Sequence, residues 1–192
     1  MGKLKYLVVH CTDTPVNMEV TREMLESWHL GPRDLDGGRV RYKGRNYPSR
    51  KALPDVLIGG VPIAKLQGRG WDRLGYSAII HRDGRREILT PYNNDDEITN
   101  DEMTWGVAGI NSVSRHIVLE GGKGPLADFR YHFTDDQDFE LFAFCKLTIL
   151  HHPEIVIVGH NQFAEKSCPG FFVYDWLMDH SIESWGCRKK RC

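Results

Sequence analysis

His160, Lys166 and Cys168 fall within nine residues of one another in the segment GHNQFAEKSCPGF, residues 159–171. An imidazole, an ammonium and a thiol at that spacing can meet around one loop. Two chemistries follow from the residue types. A thiol beside an imidazole base can act as a nucleophile. Imidazole nitrogen and thiolate sulfur together also suit zinc in tetrahedral geometry. His10 offers a third donor: like His160 it ends a short, very apolar run, and in open α/β sheets sites form at strand ends. His10, His160 and Cys168 as ligands leave a fourth position for water, the arrangement of a catalytic zinc site. The readings separate by treatment, since a chelator inactivates a zinc enzyme and an alkylating agent a thiol enzyme.

The remaining histidines and cysteines have plainer expectations. Successive residues of a strand point to opposite faces, so Cys11 is expected to be buried away from His10 and not to share its ion. His29, His116, His132 and His180 lack neighbours at ligand spacing. His151 and His152 end a helical pattern, where histidine suits the helix dipole. His81 precedes a hairpin turn and is expected to face solvent. Cys145, inside ELFAFCKLTIL, is expected to be buried packing.

Short apolar runs must hold these residues in place. LKYLVVH reads as a buried strand ended by TDTP, and TREMLESWHL as a helix stopped at Gly31-Pro32. GYSAIIHRDGRREILTPY reads as two strands joined at Asp83-Gly84. RHIVLEGG is a further strand. TDDQDFELFAFCKLTILHH is the clearest helix, with a capping box from Thr134 to Gln137. EIVIVGH is another buried strand, and GFFVYDWLMDH a closing helix started by Pro169-Gly170. Residues 31–68, rich in Gly, Pro and Arg, show no sustained period and read as an insertion or long loop. Strands alternating with helices predict an α/β single domain, a central mixed β-sheet flanked by helices on both faces.

The chain has 192 residues and a formal net charge of −1, which fits one core and gives no general attraction to nucleic acid. The domain is expected over residues 1–186, interrupted at about 31–68, with CRKKRC (187–192) as a solvated basic tail. The five cysteines form no CxxC pairs, so most are expected to be reduced thiols. The apolar N-terminal run is too short for a signal-peptide core or a membrane span. The chain is therefore expected to be cytoplasmic as synthesised, without membrane insertion, and a monomer.

VVHCTDTP, GYSAIIHRDG, GINSVS with LEGG, and GHNQFAEKSCPGF occur in an order that resembles zinc-dependent N-acetylmuramoyl-L-alanine amidases. The similarity is greatest to the short phage lysozyme-type amidases, which share a fold with peptidoglycan recognition proteins. It covers most of the chain outside 31–68, and His-x5-Lys-x-Cys-Pro is its most specific block. The resemblance implies Zn2+ on His10, His160 and Cys168, with catalytic support from Tyr76 and Lys166. It implies a peptidoglycan substrate, cut between the lactyl group of N-acetylmuramic acid and L-alanine. A non-catalytic peptidoglycan-binding module, or a hydrolase of another cell-wall amide, are the alternatives. Three departures stand out: Ser77 where the family often has histidine, Gly106 where many members have histidine, and RHIVLE in place of a small-residue strand.

Overall fold

The computed structural model describes residues 2–183; the basic tail, Cys187 and Cys192 lie outside the described residues. The chain begins with β1 (Gly2–Lys3), β2 (Tyr6–Cys11), α1 (Arg22–Leu30), β3 (Arg33–Asp34), β4 (Val40–Tyr42) and β5 (Arg45–Tyr47). It continues through β6 (Leu57–Ile58), β7 (Val61–Pro62), β8 (Ala78–Ile80), β9 (Arg86–Ile88), β10 (Glu97–Ile98) and β11 (Ser114–Leu119). It closes with α2 (Phe129–His132), α3 (Asp135–His151), β12 (Val156–Gly159) and α4 (Val173–Asp179).

The chain divides into two compact units, one of residues 2–19 and 76–183, the other Val20–Gly75. The first holds a five-stranded sheet in the order β12-β2-β11-β8-β9. Its first four strands are parallel, and β9 returns antiparallel through the expected hairpin. Strands covered on both faces need continuous apolar runs. β2 follows this rule, and β11 is buried at every position although Ser114, Arg115 and His116 precede its apolar Ile117, Val118 and Leu119. Leu7, Val9 and Cys11 join Ile117, Leu119, Ala78 and Ile80 on one face, where α3 and α4 supply Leu141, Phe144, Cys145, Trp176 and Leu177. Val8 and Val158 face the other way, toward Val107 and Ile110. The mixed sheet flanked by helices is thus present, and Cys11 and Cys145 are buried as their positions predict.

α3 starts where its capping box places it. The Thr134 hydroxyl accepts from Gln137 N–H, and the Gln137 carbonyl oxygen accepts from Thr134 N–H. Buried Gln137 then donates its amide N–H groups to the carbonyls of Ile80 and Glu120, and Thr134 Oγ1 donates to Arg82 O at 2.7 Å. One turn of helix is thereby fastened to the C-terminal ends of β8 and β11. α4 begins three residues beyond the expected Pro169-Gly170 start, at Val173.

Val20–Gly75 is more ordered than its sequence suggests. Residues 31–68 carry the three-stranded sheet β3-β4-β5 and the hairpin β6-β7. α1 is N-capped by Thr21 and stops at Gly31 as expected. His29, buried at its end, accepts from Gly75 N–H at 3.3 Å and stacks on Trp71.

His81 departs from expectation. It is buried, not solvent-facing, because Glu120 and Glu87 hold its two ring nitrogens at 3.2 and 3.3 Å. His152 is likewise more than a helix-end histidine: it is buried and lies 2.7 Å from Asp96. Among the described residues no helix is long and apolar enough to cross a membrane.

Replacing Thr134 by Ala removes the cap and the Arg82 bond. We expect urea denaturation to show a loss of about 1–2 kcal/mol with an unchanged m-value. His29 makes a second prediction. Burial first, then the Arg69 charge, pushes its pKa down to about 4. The folded value lies below the unfolded one, so this stability is complete above about pH 6.5 and lost as the pH falls toward 4. Between pH 7 and 4.5 the wild type should lose on the order of 2 kcal/mol relative to His29→Gln.

Candidate metal centre

The register of β2 places the site. Val118 of β11 stands opposite His10 and Leu119 opposite Cys11, while Gly159 of β12 stands opposite Val9. His160 therefore follows directly on a strand that ends beside His10. A short turn, His160–Gln162, fixes the exit, with the Gln162 side chain accepting from Gly159 N–H at 2.7 Å. The loop then doubles back. Asn161 N–H donates to Cys168 O at 2.7 Å, and its side-chain amide donates to Phe171 O. The eight-residue separation of His160 and Cys168 is closed by that backbone bond.

His10, His160 and Cys168 come together as a result. Each offers one ligand atom, and the three atoms lie within 4.8 Å of one another. The Cys168 sulfur is 3.8 Å from His10 Nδ1, and the His10 and His160 rings are 4.7 Å apart between centroids. Donors around one tetrahedral zinc stand about 3.5 Å apart, given bonds of ~2.0 Å to nitrogen and ~2.3 Å to sulfur. Two imidazoles and one thiol at these separations fit a metal ion, and no side chain needs to cross the strand to reach it.

The end of β2 is held by a clasp to the end of β11. Thr12 Oγ1 accepts from Gly121 N–H at 2.8 Å, and Thr14 N–H donates to Gly121 O. Gly122 has φ +86°, and a Cβ there would lie 2.8 Å from the Cys11 sulfur, so the turn requires glycine. CTDT and LEGG are two halves of this clasp. Cys11 packs in the core, yet its backbone N–H donates to the Cys168 sulfur at 3.3 Å.

Tyr76 precedes β8 and lies with its ring 5.2 Å from that of His10, centroid to centroid. The rung Ser77 N–H to His116 O holds it there. Lys166 is exposed, two residues before Cys168, and its charge favours the Cys168 thiolate. Against that pull, the Cys11 thiol and burial push the Cys168 pKa well above the usual thiol range.

Sequence reasoning passed over His116. It is fully buried, and its Nδ1 lies 3.0 Å from His10 Nε2. Burial first, then the His160 charge, lowers its pKa to about 3. The available signal was a histidine leading directly into the apolar run Ile117, Val118 and Leu119 of one strand, since a buried polar residue is the informative exception.

No protein-family model matches the chain. The curated endolysin of Enterobacteria phage K11 is 25% identical over 174 residues, spanning 88% of this chain and 82% of the relative. Among solved structures, the endolysin N-acetylmuramoyl-L-alanine amidase LysCS from Clostridium intestinale URNW superposes with TM-score 0.55 at 16% identity. That match covers 94% of this chain and 86% of the other. Drosophila PGRP-LB gives TM-score 0.57 at 15% identity, over 99% and 87%. The chain has the fold shared by these amidases and peptidoglycan recognition proteins. On that fold it carries a His-His-Cys cluster able to hold a metal ion.

Metal uptake has a definite pH dependence. The Cys11 thiol and burial favour the protonated form of Cys168, whereas a metal ligand must be a thiolate, so metal binding there would release a proton. We expect affinity to rise about tenfold per pH unit between pH 7 and 9, measured by competition with a chromophoric chelator.

Proposed function

We propose that the protein is a zinc-dependent amidase that hydrolyses the bond between N-acetylmuramic acid and L-alanine in bacterial peptidoglycan. The observation that carries this is the convergence of His10, His160 and Cys168 at one end of the sheet. The likeness to endolysins and to an amidase structure supports it. In this reading the three residues hold Zn2+. When bound, zinc supplies Lewis acidity and lowers the pKa of a water ligand toward neutrality. To hold the ion, His10 and His160 would present neutral imidazole nitrogens and Cys168 a thiolate.

Tyr76 and Lys166 are the proposed catalytic side chains. The phenol of Tyr76, beside His10, hydrogen-bonds the attacking water or the oxygen of the scissile carbonyl. Lys166 carries an ammonium close enough to act on Cys168, and it stabilises negative charge that grows on the carbonyl oxygen. Its exposure leaves it free to meet a substrate entering from solvent. Cys168 is a ligand in this scheme and not a nucleophile.

Incubating zinc-loaded protein with purified cell walls should release new L-alanine amino termini, with fragment masses matching cleavage at the lactyl amide. Cys168→Ser should lose both zinc and activity. Lys166→Ala should keep zinc and lose about 100- to 1,000-fold in kcat. Absence of new amino termini would refute the amidase reading, and masses from a stem-peptide cut would move the activity to another amide. Inactivation by alkylation of zinc-free protein, with activity surviving chelation, would restore the thiol nucleophile.

A further inference from the structure

The geometry points to His116 as a positioning residue for the metal site, accepting the Nε2–H of His10 from a space that Gly106 leaves open. This rests on the zinc reading of His10, His160 and Cys168, and adds the residue that sets how His10 presents its ligating nitrogen.

Three observations carry it. First, the strand register places the two rings together. His116 pairs with Val8 while Val118 pairs with His10, so the histidines are diagonal neighbours on one face of adjacent strands. Their rings lie 5.2 Å apart at 54°, with His116 Nδ1 3.0 Å from His10 Nε2. Second, the two nitrogens of His10 face different tasks. Nδ1 is the one 3.8 Å from the Cys168 sulfur, on the side of the cluster. A ligating imidazole binds through its unprotonated nitrogen, so the proton stands on Nε2, and the neighbouring acceptor orients the ring and fixes the tautomer.

Third, the room for His116 is specific. A Cβ at position 106 would lie 2.3 Å from His116 Nδ1 and 2.4 Å from its Cγ. Even alanine there displaces the ring. The departures at Gly106 and in RHIVLE are therefore one feature, an imidazole entering from the strand where the neighbouring loop has withdrawn its side chain. A packing role alone does not account for this choice. With Nδ1 accepting from His10, the proton of His116 stands on Nε2, which is buried and finds no hydrogen-bond partner among the described residues. A leucine fills such a space without burying an unpartnered donor.

The test measures Zn2+ binding by the full chain in competition with a chromophoric chelator, alongside circular dichroism to establish folding. His116→Leu should weaken zinc about 10- to 100-fold. His116→Asn, whose side-chain oxygen sits near the position of Nδ1, should recover most of the affinity. Gly106→Ala should weaken zinc in the wild-type background but cause little further loss in His116→Ala, the non-additivity expected of residues sharing one contact. A folded His116→Leu with wild-type zinc affinity, His116→Asn no better than His116→Leu, or additive losses at 106 and 116 would each overturn the inference. Zinc binding by the wild type alongside any of these leaves the amidase reading standing. No zinc uptake by the wild type overturns both.

Discussion

The parallel pairing of β2 with β11 on one side and β12 on the other governs where every donor of the site stands. Four parallel strands end at the same edge, so residues far apart in the chain leave the sheet side by side. His10 is the last residue but one of β2, His160 follows β12, and Glu120 follows β11. Such pairing depends on burial from both faces, because only continuous apolar strands stay covered. The core is therefore a condition of the site. Leu7, Val9 and Cys11 are anchored under α3 and α4, and the intervening Val8 and His10 are turned to the other face.

Alternation along β2 also separates the side chains of two adjacent residues with metal-binding chemistry. His10 and Cys11 are neighbours in sequence but face opposite sides of the sheet. His10 meets the imidazole of His160 and the sulfur of Cys168 through its side chain. Cys11 meets the same sulfur through its backbone N–H and through its thiol, whose side chain packs in the core beside it. A thiolate at Cys168 thus has a backbone donor on one side and the nearby Lys166 charge as further support. The loop that carries Cys168 is itself fastened to His160 by the Asn161 backbone, which couples the two candidate ligands nearest in sequence.

Polar residues buried at the strand ends do a second job, that of finishing a sheet whose last backbone groups lack strand partners. Gln137 satisfies the carbonyls of Ile80 and Glu120 from the first turn of α3. Thr12 and Thr14 satisfy Gly121, and Glu120 satisfies His81 and Arg82 N–H. Buried backbone groups need such partners. The polar residues near the candidate metal centre are therefore divided between the cluster and the architecture that frames it. His81, directly after β8, belongs to architecture, although like His10 it stands near the C-terminal end of a central strand.

Local sequence was sufficient for the elements with a strong local cause. β2, β11 and β12 follow from apolar runs, α3 from its capping box, and the β8-β9 hairpin from Asp83-Gly84. Residue chemistry and the end-of-strand rule also brought His10, His160 and Cys168 into one candidate set. The order within residues 31–68 was illegible because its strands are two or three residues long, too short for a period to register. The burial of His81 and the approach of His116 to His10 were decided by tertiary structure alone. Each depends on contacts between separate segments: Glu120 and Glu87 around His81, and the β2–β11 register with the space above Gly106 for His116. A single chain read in order contains the donors, and only the register of its strands decides which of them meet.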